Sequence, residues 1–145
     1  ASSKVNVTNK SASLFDRYRF LRDSYDQKAA EAVARKDERI RKEGKTAAGG
    51  TWSSTSFPAV RLRTEATWLG LSAIEASFSW TEHVFIHIGI MRGTLGTAND
   101  VAQAAEADWA TKYKLALDLA DAPSKGFYDE LVAVRKELRN FVAHR

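Results

Sequence analysis

Phe127-Tyr128-Asp129-Glu130-Leu131-Val132-Ala133-Val134-Arg135-Lys136-Glu137-Leu138-Arg139-Asn140-Phe141 places apolar residues at Phe127, Leu131, Val134, Leu138 and Phe141, with steps of four, three, four and three. That recurrence lines one side of an α-helix and forms the seam by which one helix packs on another. A half-buried strand would instead alternate every second residue. The last segment is therefore an amphipathic helix, and the rest of the chain has to supply what it packs against.

Upstream, the same period returns. Leu14, Tyr18, Leu21, Tyr25, Ala29 and Ala32 mark a first helix from about Ser13, after a polar and loose stretch over residues 1–12. It runs on into Arg35-Lys36-Asp37-Glu38-Arg39-Ile40-Arg41-Lys42-Glu43, read as a solvated, charged helical extension. Gly, Ser, Thr and Ala then dominate a flexible loop over about residues 44–57. Pro58 disfavours helix at Phe57. A second helix is expected over about Thr64 to Met91. Leu69, Leu71, Ile74, Phe78, Trp80, Val84, Phe85 and Ile88 cover more than half its circumference, as in a central, largely buried helix. After a turn over Gly93 to Asn99, a third helix is capped by Asn99 or Asp100. It carries the stripe Ala102, Ala105, Trp109, Tyr113, Ala116 and Ala120, and Pro123 and Gly126 interrupt it before the fourth. No segment reads as a strand. The expected fold is all-α, a four-helix bundle with a long charged first helix, in a single domain over 1–145.

Composition agrees with one folded domain. The 145 residues are 44% hydrophobic and 28% charged, which excludes a disordered chain. The formal charge of +4 permits a nucleic-acid partner without requiring one. There is no cysteine, so disulfides and thiolate-bound zinc are excluded and a reducing cytoplasmic setting is expected. The apolar run Val84 to Met91 is interrupted by His87 and is far short of the ~20 residues a membrane span needs, so no membrane partner is expected.

The last helix ends in Leu138-Arg139-Asn140-Phe141-Val142-Ala143-His144. Arg neutralises phosphate, and His exchanges a proton near neutral pH. At about 100° per residue, Asn140 and His144 fall roughly 140° and 100° from the seam centre on one side, while Arg139 lies on the other flank. One helix does not aim both groups at one phosphate. A two-fold pair of such helices does, each supplying what the other lacks.

This string resembles the R-x4-6-H motif of HEPN domains, and its wider form looks like their "LRN-x-x-AH" variant. The resemblance is specific over residues 138–144 and architectural elsewhere. It implies a small all-helical ribonuclease that builds its active site across a homodimer, with Arg139, His144 and Asn140 as catalytic residues. Members of this superfamily act as toxins paired with antitoxins, in phage defence and in RNA processing. Arg145 stands where that variant often has Gly, and the native chain is expected to continue past 145.

Other patterns are weighed beside it. Ser72, Glu75, Ser79, Glu82 and His83 fall within about 100° of arc on the second helix. Glu82 or Glu75 is a candidate to hold Arg139, with His83 lining the same cleft. His83 and His87 have the i, i+4 spacing of a metal-ligating pair, but Val84 stands where the zincin pattern needs Glu, so no metal and no cofactor is expected. Gly44-Lys45-Thr46 looks like the tail of a phosphate-binding loop, yet Arg39 stands where its first Gly belongs. Trp68, Trp80 and Trp109 are assigned to the core, whereas Trp52 in the loop is a candidate for partner contact.

The expected function is a metal-independent endoribonuclease acting on RNA as a homodimer, in the cytoplasm, as a toxin or phage-defence effector with an antitoxin or regulatory protein partner. The alternatives are a non-catalytic HEPN-like module for RNA or nucleotide binding or for dimerisation, and a helical protein–protein adaptor.

Overall fold

Lys10 opens the first helix. Its carbonyl accepts the N–H of Leu14 at 3.0 Å, and the Asn9 side chain accepts the N–H of Ser11 at 2.9 Å. This computed structural model describes residues 6–143. Among them the elements run α1 (Ser11–Ala34), β1 (Ile40–Lys45), β2 (Thr51–Ser56), α2 (Pro58–Met91), α3 (Ala98–Glu106), α4 (Trp109–Ala116) and α5 (Ala122–Ala143). The protein is helical with a long first helix, as expected. Five helices and a β-hairpin replace the expected four-helix bundle.

Each departure has a local cause. The charged extension and the loop become a hairpin, with Ile40 opposite Ser56 and Gly44 opposite Trp52. Thr51, Trp52 and Thr55 favour extended backbone, and the serines between them are poor helix formers. Thr46 closes the turn through its N–H to the Gly50 carbonyl at 2.8 Å. Helix α2 starts at Pro58 because the first position of a helix suits a residue with fixed φ and no N–H. The expected third helix is two. Its cap is Thr97, not Asn99 or Asp100, and Asp100 completes a reciprocal capping box. Asp108 then accepts the Thr111 N–H at 2.7 Å and starts α4 afresh. Asp121 accepts the Ser124 N–H at 3.0 Å and starts α5, so Pro123 and Gly126 lie inside a helix instead of breaking one.

The contacts divide the chain into two units, Arg17–Ile74 and Ala1–Asp16 with Glu75–Arg145. In the first, α1 and α2 run antiparallel: Tyr25 packs where Gly70 leaves room, and Lys28 pairs with Glu65 at 2.8 Å. Ala32, Ala59, Leu62, Ala66 and Ala73 are buried there, and small side chains permit the close approach. Trp68 is 62% exposed and does not join that core.

In the second unit the core is Phe85, Trp109, Tyr113 and Ala116, with Phe78, Ile88, Tyr128 and Leu131 packed around it. Trp109 takes the assigned core position at 1% exposure, and its indole N–H donates to Thr81 Oγ1 at 3.0 Å. Trp80 is half-buried against Phe15, ring centroids 4.9 Å apart. Only Ala76, Phe85 and Gly89 of α2 are fully buried in this unit, so that helix is less enclosed than its apolar breadth predicts.

Candidate functional site

Helix α5 faces the core along a line different from the expected seam. Its half-buried residues are Ser124, Tyr128, Leu131, Arg135, Leu138 and Phe141, whereas Phe127 and Val134 are 63% and 44% exposed. At about 100° per residue this turns the inward face roughly 40° from the centre of the seam. The cause is aromatic. Tyr128 stacks on Trp109 at 6.2 Å and meets Tyr113 at 5.2 Å. The Arg135 guanidinium lies 5.3 Å from the Phe78 ring centre and 5.5 Å from that of Trp109.

The turn opens a cleft of about 700 Å³ between α5 and α2, lined by Arg135, Lys136, Leu138, Arg139 and Val142 on one side and Glu75, Phe78 and Ser79 on the other. Three cations against one carboxylate make it positive, and its floor of Phe78 and Leu138 is apolar. Arg139 is exposed within it and makes no ion pair among the described residues. Arg135 and Lys136 escaped the sequence reading. The available signal was the four-residue step from Arg135 to Arg139, which makes them neighbours on a helix.

The sequence-derived candidates separate. Glu75 and Ser79 share the cleft with Arg139. Asn140 is exposed and outside the lining of that cleft. Glu82 lies elsewhere, its carboxylate accepting from the buried Lys112 Nζ at 2.8 Å. His83 is engaged by the N-terminal segment: its Nε2 accepts the Lys10 backbone N–H at 2.9 Å, with His87 Nε2 at 3.1 Å from the same atom. That acceptor role puts the His83 proton on Nδ1 and makes His87 Nε2–H the donor between the rings. Burial holds the His83 pKa below its ordinary value, aided by the neighbouring His87 and Lys10 charges. No third ligating group gathers with the pair among the described residues. His144, the remaining catalytic candidate, lies outside the described residues.

No protein-family model, curated protein or solved structure matches the chain. Among the described residues no helix is long and apolar enough to cross a membrane.

Proposed function

We propose that this chain is a HEPN-type, metal-independent endoribonuclease acting as a homodimer, with Arg139, Asn140 and His144 at a site shared between two copies. The observation that carries the reading is Arg139 of the Leu138-Arg139-Asn140 string standing in a cation-rich cleft beside Arg135 and Lys136. Phosphate-binding groups gathered at the motif are what RNA cleavage needs. The exposed Phe127 and Val134 on the same helix give a second copy an apolar strip to cover.

In the reaction the 2′-hydroxyl oxygen bonds to the adjacent phosphorus as the bond from phosphorus to the 5′-oxygen breaks. A general base takes the hydroxyl proton, and a general acid returns one to the leaving oxygen. His144 serves one of these steps, since an imidazole holds and releases a proton near neutral pH. Arg139 neutralises charge growing on the phosphoryl oxygens. Asn140 orients the imidazole or the RNA. Glu75, across the cleft, is the carboxylate available to align Arg139. The reading carries a cytoplasmic setting and a role as a toxin or phage-defence effector restrained by an antitoxin or regulatory protein.

The test is cleavage of a single-stranded RNA in EDTA, with products resolved by their ends. The wild-type protein leaves a 2′,3′-cyclic phosphate or its opened form. His144→Ala and Arg139→Ala each lose about 10²–10⁴-fold in rate with the helical circular-dichroism signal retained. Activity abolished by EDTA and restored by a divalent ion overturns the mechanism. RNA binding without cleavage leaves the non-catalytic module as the function.

A further inference from the structure

The hairpin is built to present one ring. Gly44 stands directly opposite Trp52 across the ribbon, and a Cβ at Gly44 would meet the indole at 2.6 Å. Glycine is what lets the indole lie down across the opposite strand. The ring is nevertheless 46% exposed, and apart from the half-buried Gly44 beneath it every other residue of both strands is exposed as well. A two-stranded ribbon with no face packed is marginal in water, so an indole held on it serves poorly as a core. Buried core tryptophans look like Trp109, at 1% exposure.

The surroundings are cationic. Arg39, Arg41, Lys42 and Lys45 stand against Glu43 alone, a net of +3 over residues 39–57. Arg41 is taken by Glu43 at 2.8 Å and Arg39 lies over the Phe57 ring at 5.8 Å. Lys42 and Lys45 have no carboxylate partner among the described residues. Lys42 is two residues from Gly44, so it shares the ring's face, with Ser54 opposite it. An exposed aromatic plane with the uncommitted Lys42 on its own face meets both needs of an unpaired strand: a surface on which a base stacks and a charge for the phosphate beside it.

From this we infer that the hairpin is a binding site for single-stranded nucleic acid, with Trp52 as the base-stacking platform and Lys42, on the same face, as its phosphate contact. The site stands on the hairpin alone and does not depend on whether α5 cuts RNA. Paired bases are stacked inside a duplex and do not offer their faces, so Trp52 discriminates single strands from duplexes.

Fluorescence anisotropy of a labelled single-stranded DNA of about 12 nucleotides, long enough to cover such a site, tests this on the full chain. DNA lacks the 2′-hydroxyl nucleophile, so cleavage cannot confound binding, and an RNA of the same sequence is the second arm. Trp52→Ala weakens single-strand binding by about 5- to 150-fold, while Trp52→Phe retains most of it. Gly44→Val, which lifts the indole off its seat, weakens binding in the same direction with the tryptophan still present. Lys42→Gln lowers the slope of log affinity against log salt by about 0.7, the value for one phosphate on a single strand. Duplex binding is unchanged by Trp52→Ala. The inference is overturned if Trp52→Ala binds single strands like wild type, if single-strand and duplex affinity fall together, or if wild type binds neither and the ribbon captures only protein. Loss on RNA but not DNA confines the site to RNA and leaves the stacking role in place.

Discussion

Two of the residues singled out on α2 are explained by what they touch. Lys112 is among the few charged side chains taken out of water, with 7% side-chain exposure, and Glu82 is its counter-charge at 2.8 Å. Breaking such a pair leaves an uncompensated buried charge, so Glu82→Ala is expected to destabilise the fold by about 2–3 kcal/mol in urea unfolding. Lys112→Met, which removes the charge and keeps the stem, costs less. An unfolding midpoint unmoved by Glu82→Ala would return that carboxylate to the list of site candidates. His83 gives a pH dependence. Its folded-state pKa is lowered from 6.5, first by burial, and its Nε2 must stay unprotonated to accept from Lys10. The stabilisation is therefore complete above about pH 6.5, the unfolded value, and is lost as pH falls through the lower folded value. The loss begins at a higher pH than that tied to the capping carboxylates Asp100, Asp108 and Asp121, each held below its usual value by the hydrogen bonds it accepts. Urea midpoints at pH 7.5 and 5.5 should differ more for wild type than for His83→Ala. Equal differences would sever the link to this ring. Neither partnership was legible in the sequence, because Lys10 and Lys112 are distant from α2 and nothing local marks them.

At the scale of elements, the helical period exposed α1, α2 and the last helix, and Pro58 marked a real boundary, whereas Asp100 stands inside α3, whose cap is Thr97. The hairpin stayed hidden because neither of its faces is buried. Without a buried face there is no reason for apolar residues to alternate, and alternation is the signal by which a strand is read. The charges of Arg35 to Glu43 imitated a solvated helix instead. Asp108 was similarly masked, because the alanine stripe runs on through it into α4. On α5 the apolar steps predicted a seam, but Tyr128 and Arg135 turned the helix toward the rings of Trp109 and Phe78. Spacing alone does not weigh a cation–π contact against an aliphatic one. One test of the helix itself is Gly126. It lies inside α5, and a Cβ there would meet nothing within 4 Å. Gly126→Ala is expected to stabilise the chain by about 0.5–1 kcal/mol. A loss of stability in thermal unfolding would mean that α5 does not begin at Ala122.

For the whole molecule, the motif string at the end of α5 was readable from residue types alone, and the cleft that Arg139 enters was not, since it is made with Glu75, Phe78 and Ser79 of a helix about 60 residues earlier. The central claim is that Arg139 of one copy works with His144 of another. Mixing the Arg139→Ala and His144→Ala proteins tests this most directly. In a shared site, one centre of the mixed dimer joins the two altered positions and the other joins the two intact ones. The account predicts RNA cleavage in EDTA reduced about 10²–10⁴-fold for either variant alone and partial activity, about a quarter of wild type, after subunits exchange at random, because half of the dimers are then mixed and each holds one intact centre of two. A mixture as inactive as its two components, although sedimentation shows mixed dimers have formed, would contradict it.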